Sequence, residues 1–75
     1  MDSGTKGKSL FNVGKNKVLT LVDEAWLMRG KSYLNRGNDV YEIPMGRIVG
    51  TKGETTIRII TKHGTNDIIS AYPIK

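Results

Sequence analysis

The C-terminal part of the sequence contains the residue types that could do acid–base chemistry on a phosphate ester. His63 is the single histidine of the 75-residue chain, and imidazole is the side chain that titrates nearest to neutral pH. It could take the proton of a ribose 2′-hydroxyl or protonate a leaving 5′-oxygen, while cations stabilise the extra charge on phosphorus. Nearby residues supply cations and hydroxyls, so the candidate catalytic set is His63, Arg58, Lys62, Ser70 and Tyr72.

Five further residues could contact RNA without taking part in the chemistry. They are polar or cationic residues outside the catalytic set: Arg47, Thr56, Thr65, Lys15 and Lys17. Both groups also have a structural explanation, since a lone surface histidine is commonly a solvated turn residue and a half-buried sheet exposes polar side chains by default. The sheet residues alone favour neither explanation. The net charge and the adjacent histidine favour function.

The composition excludes several kinds of active site. With no cysteine and one histidine, the chain cannot form a thiolate site or a cluster of histidine ligands. The carboxylates are scattered and lack the spacing of a metal-dependent nuclease. The Gly-Thr-Lys-Gly stretch at 50–53 lacks the spacing of a phosphate-binding loop. The sequence therefore predicts chemistry that uses no metal and no cofactor.

The charge and the length of the chain limit its partners and its size. Twelve basic residues against seven acidic ones give a net charge of +5, which favours a polyanionic partner. No apolar run approaches the roughly 20 residues of a membrane span, and the polar start is unlike a signal peptide. Residues 1–16 are basic and contain several glycines, which predicts a flexible lead-in. The apolar residues of this segment could dock it onto the rest of the chain. Residues 17–75 are expected to form one domain.

The period of the apolar residues gives the order of the elements. Residues 17–29 repeat at i, i+3 and i+4, which predicts a helix with Asn16 as its N-cap and Gly30 as a left-handed C-cap. Its apolar stripe includes Trp26 as an expected core anchor. A loop is predicted over 31–38. Strands are then predicted over 40–44, 47–49, 55–62 and 67–72, and the short turns between them imply antiparallel pairing.

The expected fold is therefore α+β, an N-terminal helix packed on a four-stranded antiparallel meander. Because side chains alternate along a strand, the parity of the last two strands predicts their two faces. The predicted helix-covered face contains Ile57, Ile59, Ile69 and Ala71. The predicted open face contains Arg58, Lys62, Ser70 and Tyr72, with Ile60 and Ile68 between them.

Three segments of residues 17–75 carry a family resemblance: LVDEAW at 21–26, MGRIVGT at 45–51 and IRIITKHGTNDIISAYP at 57–73. Together they resemble the C-terminal toxin domains of bacterial polymorphic and contact-dependent inhibition systems. In particular, the chain is similar to the small ribonucleases grouped with barnase, EndoU, the tRNA-cleaving colicins and RelE. The most telling element is the terminal strand, in which a hydroxyl residue, Ser70, comes shortly before the Tyr72-Pro73 pair. EndoU-like members have Thr ahead of the Tyr and paired histidines, which this chain lacks.

The resemblance implies an activity, partners and a route of delivery. It implies metal-independent cleavage of RNA, with tRNA as a substrate, on the open face of the sheet. It also implies that the domain is the tip of a larger secreted or surface-displayed protein and acts in the cytoplasm of a target cell. The producing cell would need an immunity protein, and an acidic one would complement the basic face.

Two other interpretations remain at this point. A non-catalytic nucleic-acid-binding module could use the same basic face, although sheets that bind RNA display two or three aromatic residues. Here the open face offers Tyr72, with Tyr41 or Tyr33 as further candidates. The third interpretation is an interaction domain whose positive charge is incidental.

Overall fold

A computed structural model describes residues 10–75 as one helix followed by four strands. The elements are α1 Lys15–Met28, β1 Tyr33–Asn35, β2 Asn38–Pro44, β3 Thr56–Lys62 and β4 Ile68–Ile74. The strands pair in the order β1-β2-β3-β4, and every pair is antiparallel. The predicted α+β fold, with a helix on a four-stranded meander, is confirmed. No helix within residues 10–75 is long and apolar enough to cross a membrane.

The core lies between the apolar stripe of α1 and one face of the sheet. Ile57 and Ile59 of β3 are fully buried there, as the strand parity predicted. They pack in one cluster with the helix residues Leu21, Val22 and Ala25. Trp26 packs against this cluster and is partly buried. The period of the sequence therefore identified the face of α1 that meets the sheet.

The two ends of α1 differ from their predicted caps. The helix begins at Lys15 after Gly14, with no side-chain cap, so Asn16 is not the N-cap. At the other end Arg29 continues in an extended conformation. Its Nη1 donates to the Trp26 carbonyl oxygen at 2.8 Å, and its guanidinium lies 3.7 Å from the centre of the Trp26 ring. Arg29 thus donates a hydrogen bond to a carbonyl oxygen in the last turn of α1, and the predicted left-handed glycine cap is absent from this end of the helix.

Strand β1 lies inside the segment that the sequence predicted as a loop. It ends in a two-residue turn, where Arg36 and Gly37 have φ angles of 54° and 80°. Positive φ at both positions is typical of tight β-hairpins. All three β1 residues are exposed, so the strand lacks the alternation of buried and exposed residues that sequence patterns detect. This hairpin adds the first strand of the sheet.

The predicted strand over 47–49 is instead part of the connection between β2 and β3. Val49 and Gly50 donate backbone hydrogen bonds to the Glu54 carbonyl oxygen at 2.8 and 3.2 Å. Val49 is 1% exposed and Glu54 is 2% exposed, so the loop folds onto the core. Val49 is thus buried by this folding and not by strand pairing, whereas its neighbour Ile48 is 58% exposed.

The segment before α1 joins this loop. Phe11 forms an isolated antiparallel bridge with Gly50 and packs against the core. Residues 10–16, assigned to the lead-in from the sequence, are therefore in contact with the domain from Leu10 onward. For residues 1–9 the predicted flexible lead-in lies outside the described part of the chain.

A β-bulge in β4 changes the predicted faces at its start. The register with β3 shifts between Ile60 and Thr61, so Ile68 lies opposite Thr61 and does not continue the open face. Ile69, predicted to lie under the helix, is 58% exposed. The parity prediction was wrong for these two isoleucines because a bulge inserts one unpaired residue.

Candidate active site

The register of the sheet places three polar residues of neighbouring strands directly side by side. Glu42 of β2 lies opposite Arg58 of β3, and Arg58 lies opposite Tyr72 of β4. All three point away from α1, because Arg58 alternates with the buried Ile57 and Ile59. We call this side of the sheet the open face.

Hydrogen bonds link these residues, with Tyr33 of β1, across all four strands. Oε2 of Glu42 accepts hydrogen bonds from the Tyr33 hydroxyl at 2.7 Å, from Arg58 Nε at 3.0 Å and from Arg58 Nη2 at 2.8 Å. Arg58 Nη1 donates to the Tyr72 hydroxyl oxygen at 3.2 Å. We refer to Tyr33, Glu42, Arg58 and Tyr72 as the polar cluster.

The polar cluster keeps hydrogen-bonding capacity for a ligand. All of the donors that reach Glu42 within residues 10–75 bind Oε2, so its Oε1 accepts no hydrogen bond from a described residue. A guanidinium carries more N–H groups than the contacts to Glu42 and Tyr72 use. The side chains of Arg58 and Glu42 are 33% and 35% exposed. A phosphate could therefore reach the guanidinium while a hydroxyl reaches Oε1.

Mutual contacts set the protonation states of the cluster. The hydrogen bond from Tyr33, and then those from Arg58, lower the pKa of Glu42. The same bond raises the pKa of Tyr33, because ionising the phenol would place two negative charges together. The pKa of Arg58 is raised by its hydrogen bond with Tyr72 and by Glu42. At neutral pH the cluster thus holds a carboxylate, a guanidinium and a protonated Tyr33.

An apolar floor lies beside the polar cluster on the open face. Val40 of β2 is 2% exposed, although it is not part of the cluster of buried residues beneath α1. Its cross-strand neighbours are Tyr33 and Ile60, and Tyr33 is 46% exposed. A partly exposed aromatic ring next to a buried aliphatic residue is a suitable surface for a nucleobase.

The structure brings together only part of the predicted catalytic set. Arg58 and Tyr72 are in direct contact. Ser70 is on the same face but lies opposite Ile60, one step along the strands. Lys62 is also on this face, opposite Asn38, and four residues of strand place it about 13 Å from Arg58. Lys62 and Ser70 are therefore neighbours of the polar cluster and not members of it.

His63 lies at the rim of the sheet, away from the polar cluster. Its Nδ1 is 2.8 Å from Oδ1 of Asp39, and the backbone N–H of Gly64 donates to Oδ2 of Asp39 at 3.1 Å. Asp39 lies opposite Thr61, which points to the helix-covered side. His63 follows Arg58 by five positions, which corresponds to about 16 Å along an extended chain. The imidazole is thus oriented by a carboxylate but does not share a site with Arg58.

The five predicted RNA contacts are spread over the molecule. Arg47 forms a bidentate ion pair with Glu24 of α1, in which Nη2 donates to Oε1 at 2.9 Å and Nη1 donates to Oε2 at 3.0 Å. The Thr65 hydroxyl donates to the Lys62 carbonyl oxygen and accepts from the Asp67 N–H, so it stabilises the β3–β4 turn. Their roles as RNA contacts stay predictions.

The other three predicted contacts lie on both sides of the sheet. Thr56 is on the open face, opposite Pro44 and Ile74. Lys17 lines a cleft of about 310 Å³ between α1 and Arg47, on the helix side. Lys15 is the first residue of α1. Thr56 is the only one of the five that the register puts on the same face as Arg58.

Two residues of the polar cluster were not in the predicted set. Glu42 was counted among scattered carboxylates, and Tyr33 fell in the predicted loop. The signal for Glu42 was present, since its parity within β2 puts it on the face opposite to the buried Ile43. Its partnership with Arg58 depends on the register between β2 and β3, which the sequence does not specify.

The described residues contain no group of three or more His, Asp or Glu side chains that could hold a metal ion.

Comparison with family models, with curated proteins and with solved structures finds no match to the chain. The geometry of the polar cluster is accordingly the main basis for a functional proposal.

Proposed function

We propose that this domain is a metal-independent endoribonuclease and that the polar cluster is its active site. One observation carries the proposal: Arg58 lies between Glu42 and Tyr72 in a single row of the sheet. A phosphate bound by the guanidinium would have a carboxylate on one side and a phenol on the other. Cleavage by internal transfer needs a base and an acid on opposite sides of the phosphorus.

Each step of the proposed reaction has a group in the cluster. Oε1 of Glu42 takes the proton of the ribose 2′-hydroxyl, and the 2′-oxygen attacks phosphorus. N–H groups of Arg58 bind the phosphate oxygens and stabilise the charge that develops on them. The bond from phosphorus to the 5′-oxygen breaks, and the Tyr72 hydroxyl gives that oxygen its proton. The products are a 2′,3′-cyclic phosphate and a 5′-hydroxyl.

Tyr33 acts in this scheme by positioning Glu42. Its hydroxyl and Arg58 both donate to Oε2, so Oε1 accepts no hydrogen bond from a described residue and can take up a proton. The same contacts keep the carboxylate ionised at neutral pH, and a general base must be in that form. His63 has an orienting carboxylate in Asp39, but no cation of the described residues contacts the pair. We therefore assign the chemistry to Glu42.

The family resemblance extends the proposal to a biological role. A small basic ribonuclease is suited to being the C-terminal tip of a larger bacterial toxin, delivered from the producing cell into the cytoplasm of another. The proposed substrate is tRNA, by analogy with the tRNA-cleaving relatives. The proposed partner in the producing cell is an acidic immunity protein that covers the open face.

The test is incubation of the purified domain with total RNA in the presence of EDTA, followed by mapping of the cleaved ends. We expect discrete fragments with 2′,3′-cyclic phosphate and 5′-hydroxyl termini. RNA that is bound in a salt-dependent way but stays intact would contradict the proposal and favour a binding module. RNA that is neither cleaved nor bound would leave the interaction-domain interpretation.

A further inference from the structure

The end of the open face nearest the β1–β2 turn contains a second set of polar residues. The register places Asn35 opposite Asn38, and Asn38 opposite Lys62, so the three form one row across β1, β2 and β3. Asn35 and Lys62 are exposed, and Asn38 is half-buried. We call Asn35, Asn38 and Lys62 the turn-side row.

The side chains of the turn-side row are available to a ligand. Within residues 10–75 none of them forms a hydrogen bond or an ion pair with another residue. This contrasts with the polar cluster, whose members bind one another. Two amides and an ammonium group offer donors for a phosphate and both donors and acceptors for the edge of a base.

The turn beside this row contains a cation in an unfavourable backbone conformation. Arg36 joins Asn35 to Gly37 with a φ of 54°, a region that glycine and asparagine enter far more readily than arginine. The arginine is exposed. Arg36 therefore places a positive charge beside the turn-side row, at a position whose backbone conformation favours other residue types.

From the proposed function of the polar cluster, we infer that the turn-side row and Arg36 form a subsite for a neighbouring nucleotide of single-stranded RNA. About 13 Å of strand separates Lys62 from Arg58, which exceeds the distance between adjacent phosphates and fits a strand that continues beyond the cleaved linkage. The register puts Tyr33, Val40 and Ile60 in the row between Arg58 and Lys62, and the partly exposed Tyr33 ring above Val40 provides the floor for the intervening base. Lys62 and Arg36 bind the distal phosphate, and the asparagines bind the base edge.

Two measurements test the subsite separately from the chemistry. The first is binding of a non-cleavable 2′-O-methyl hexanucleotide to the wild type, Lys62→Ala and Arg36→Asn. Asparagine tolerates positive φ, so Arg36→Asn removes the cation without straining the turn. We expect each variant to bind roughly tenfold more weakly, the effect of losing one charge-assisted phosphate contact. Lys52→Ala is the matched control, since Lys52 is an exposed cation of the β2–β3 loop, and it should bind like the wild type.

The second measurement is cleavage of oligonucleotides that contain a single ribose, so that only one linkage can react. Adding two deoxynucleotides to a dinucleotide substrate, on its 5′ or its 3′ side, should raise kcat/KM for the wild type. This gain should be lost in Lys62→Ala and kept in the control Lys52→Ala.

The outcomes separate the two proposals. Hexanucleotide binding that is unaffected by Lys62→Ala and Arg36→Asn would overturn the subsite, whether or not RNA is cleaved. Binding that depends on both residues, without cleavage of any substrate, would support the subsite and contradict the proposed chemistry.

Discussion

At the scale of single residues, the central feature is how Glu42 is held. Its Oε2 accepts hydrogen bonds from Tyr33 and from two nitrogens of Arg58. Such concentrated contacts orient a carboxylate more strictly than a single ion pair and keep it ionised. The free oxygen of a fixed, ionised carboxylate is a good candidate for a general base.

Tyr33→Phe tests the coupling between the phenol and the carboxylate. The Tyr33 hydrogen bond lowers the pKa of Glu42, so its loss should raise that pKa. Because the base acts in its ionised form, the acidic limb of the kcat/KM profile should move to higher pH. The measurement is a pH–rate profile on a single-ribose substrate.

Tyr41→Phe is the control for this experiment. Tyr41 packs edge-on against Trp26 on the helix side, with 5.2 Å between ring centres, and it should leave the acidic limb in place. An acidic limb that stays where it is in Tyr33→Phe, or moves to lower pH, would contradict the assigned role.

At the scale of elements, the connections carry much of the structure that the sequence pattern could not reveal. The helix and β3 were predictable because their buried residues follow the periods 3.6 and 2. Strand β1 was missed because Tyr33, Leu34 and Asn35 are all exposed. The segment over 47–49 looked like a strand because its β-branched residues are apolar, but it is held by loop contacts to Glu54.

The candidate site was predictable to a similar degree. Arg58 and Tyr72 followed from strand parity, because both lie in the regular part of the β3–β4 pairing. The parity failed at Ile68 and Ile69, where the bulge intervenes. Glu42 required the register of β2 against β3, which depends on the length and fold of the long loop between them.

The contact between Asp39 and His63 ties β2 to the β3–β4 turn and should make stability depend on pH. His63, and then the Gly64 N–H, lower the pKa of Asp39 below its ordinary value of 3.8. A carboxylate whose pKa is lowered by folding stabilises the folded state at pH values above its ordinary pKa. This stabilisation is lost as the pH falls through the folded-state pKa. Asp39→Asn should therefore be less stable than the wild type at pH 6.

The measurement for Asp39→Asn is urea denaturation at pH 6 and pH 3. The difference in free energy of unfolding from the wild type should shrink at the lower pH. Asp67→Asn is the matched control, since its carboxylate forms no hydrogen bond with another described residue. A difference that is the same at both pH values would show that the carboxylate charge is not the cause.

Gly50→Ala tests the packing of the loop between β2 and β3. A Cβ at Gly50 would lie 2.9 Å from Cβ of Glu54, and Glu54 is buried. Relieving this overlap requires the loop to move, which should cost about 1–3 kcal/mol in the free energy of unfolding. Gly30→Ala is the control because nothing lies within 4 Å of its added Cβ. Equal stability of the two variants would contradict this account of the loop.

At the scale of the whole molecule, the two faces of one sheet have different roles. One face forms the core with α1, and the other presents the polar cluster and the turn-side row. This division separates the residues that pack against α1 from the residues of the proposed site. It also distributes the net charge of +5: Arg47 pairs with Glu24 on the helix side, whereas Lys62 is exposed on the open face.

The most direct test of the central claim is the rate of cleavage of a single-ribose oligonucleotide by Glu42→Gln in EDTA. Loss of the general base should lower kcat by roughly 10²- to 10⁴-fold. Glu24→Gln, which alters an exposed carboxylate paired with Arg47 on the helix side, should keep the wild-type rate, and so should His63→Ala. A Glu42→Gln variant that cleaves as fast as the wild type, with His63→Ala inactive, would contradict the account and place the chemistry at the rim of the sheet.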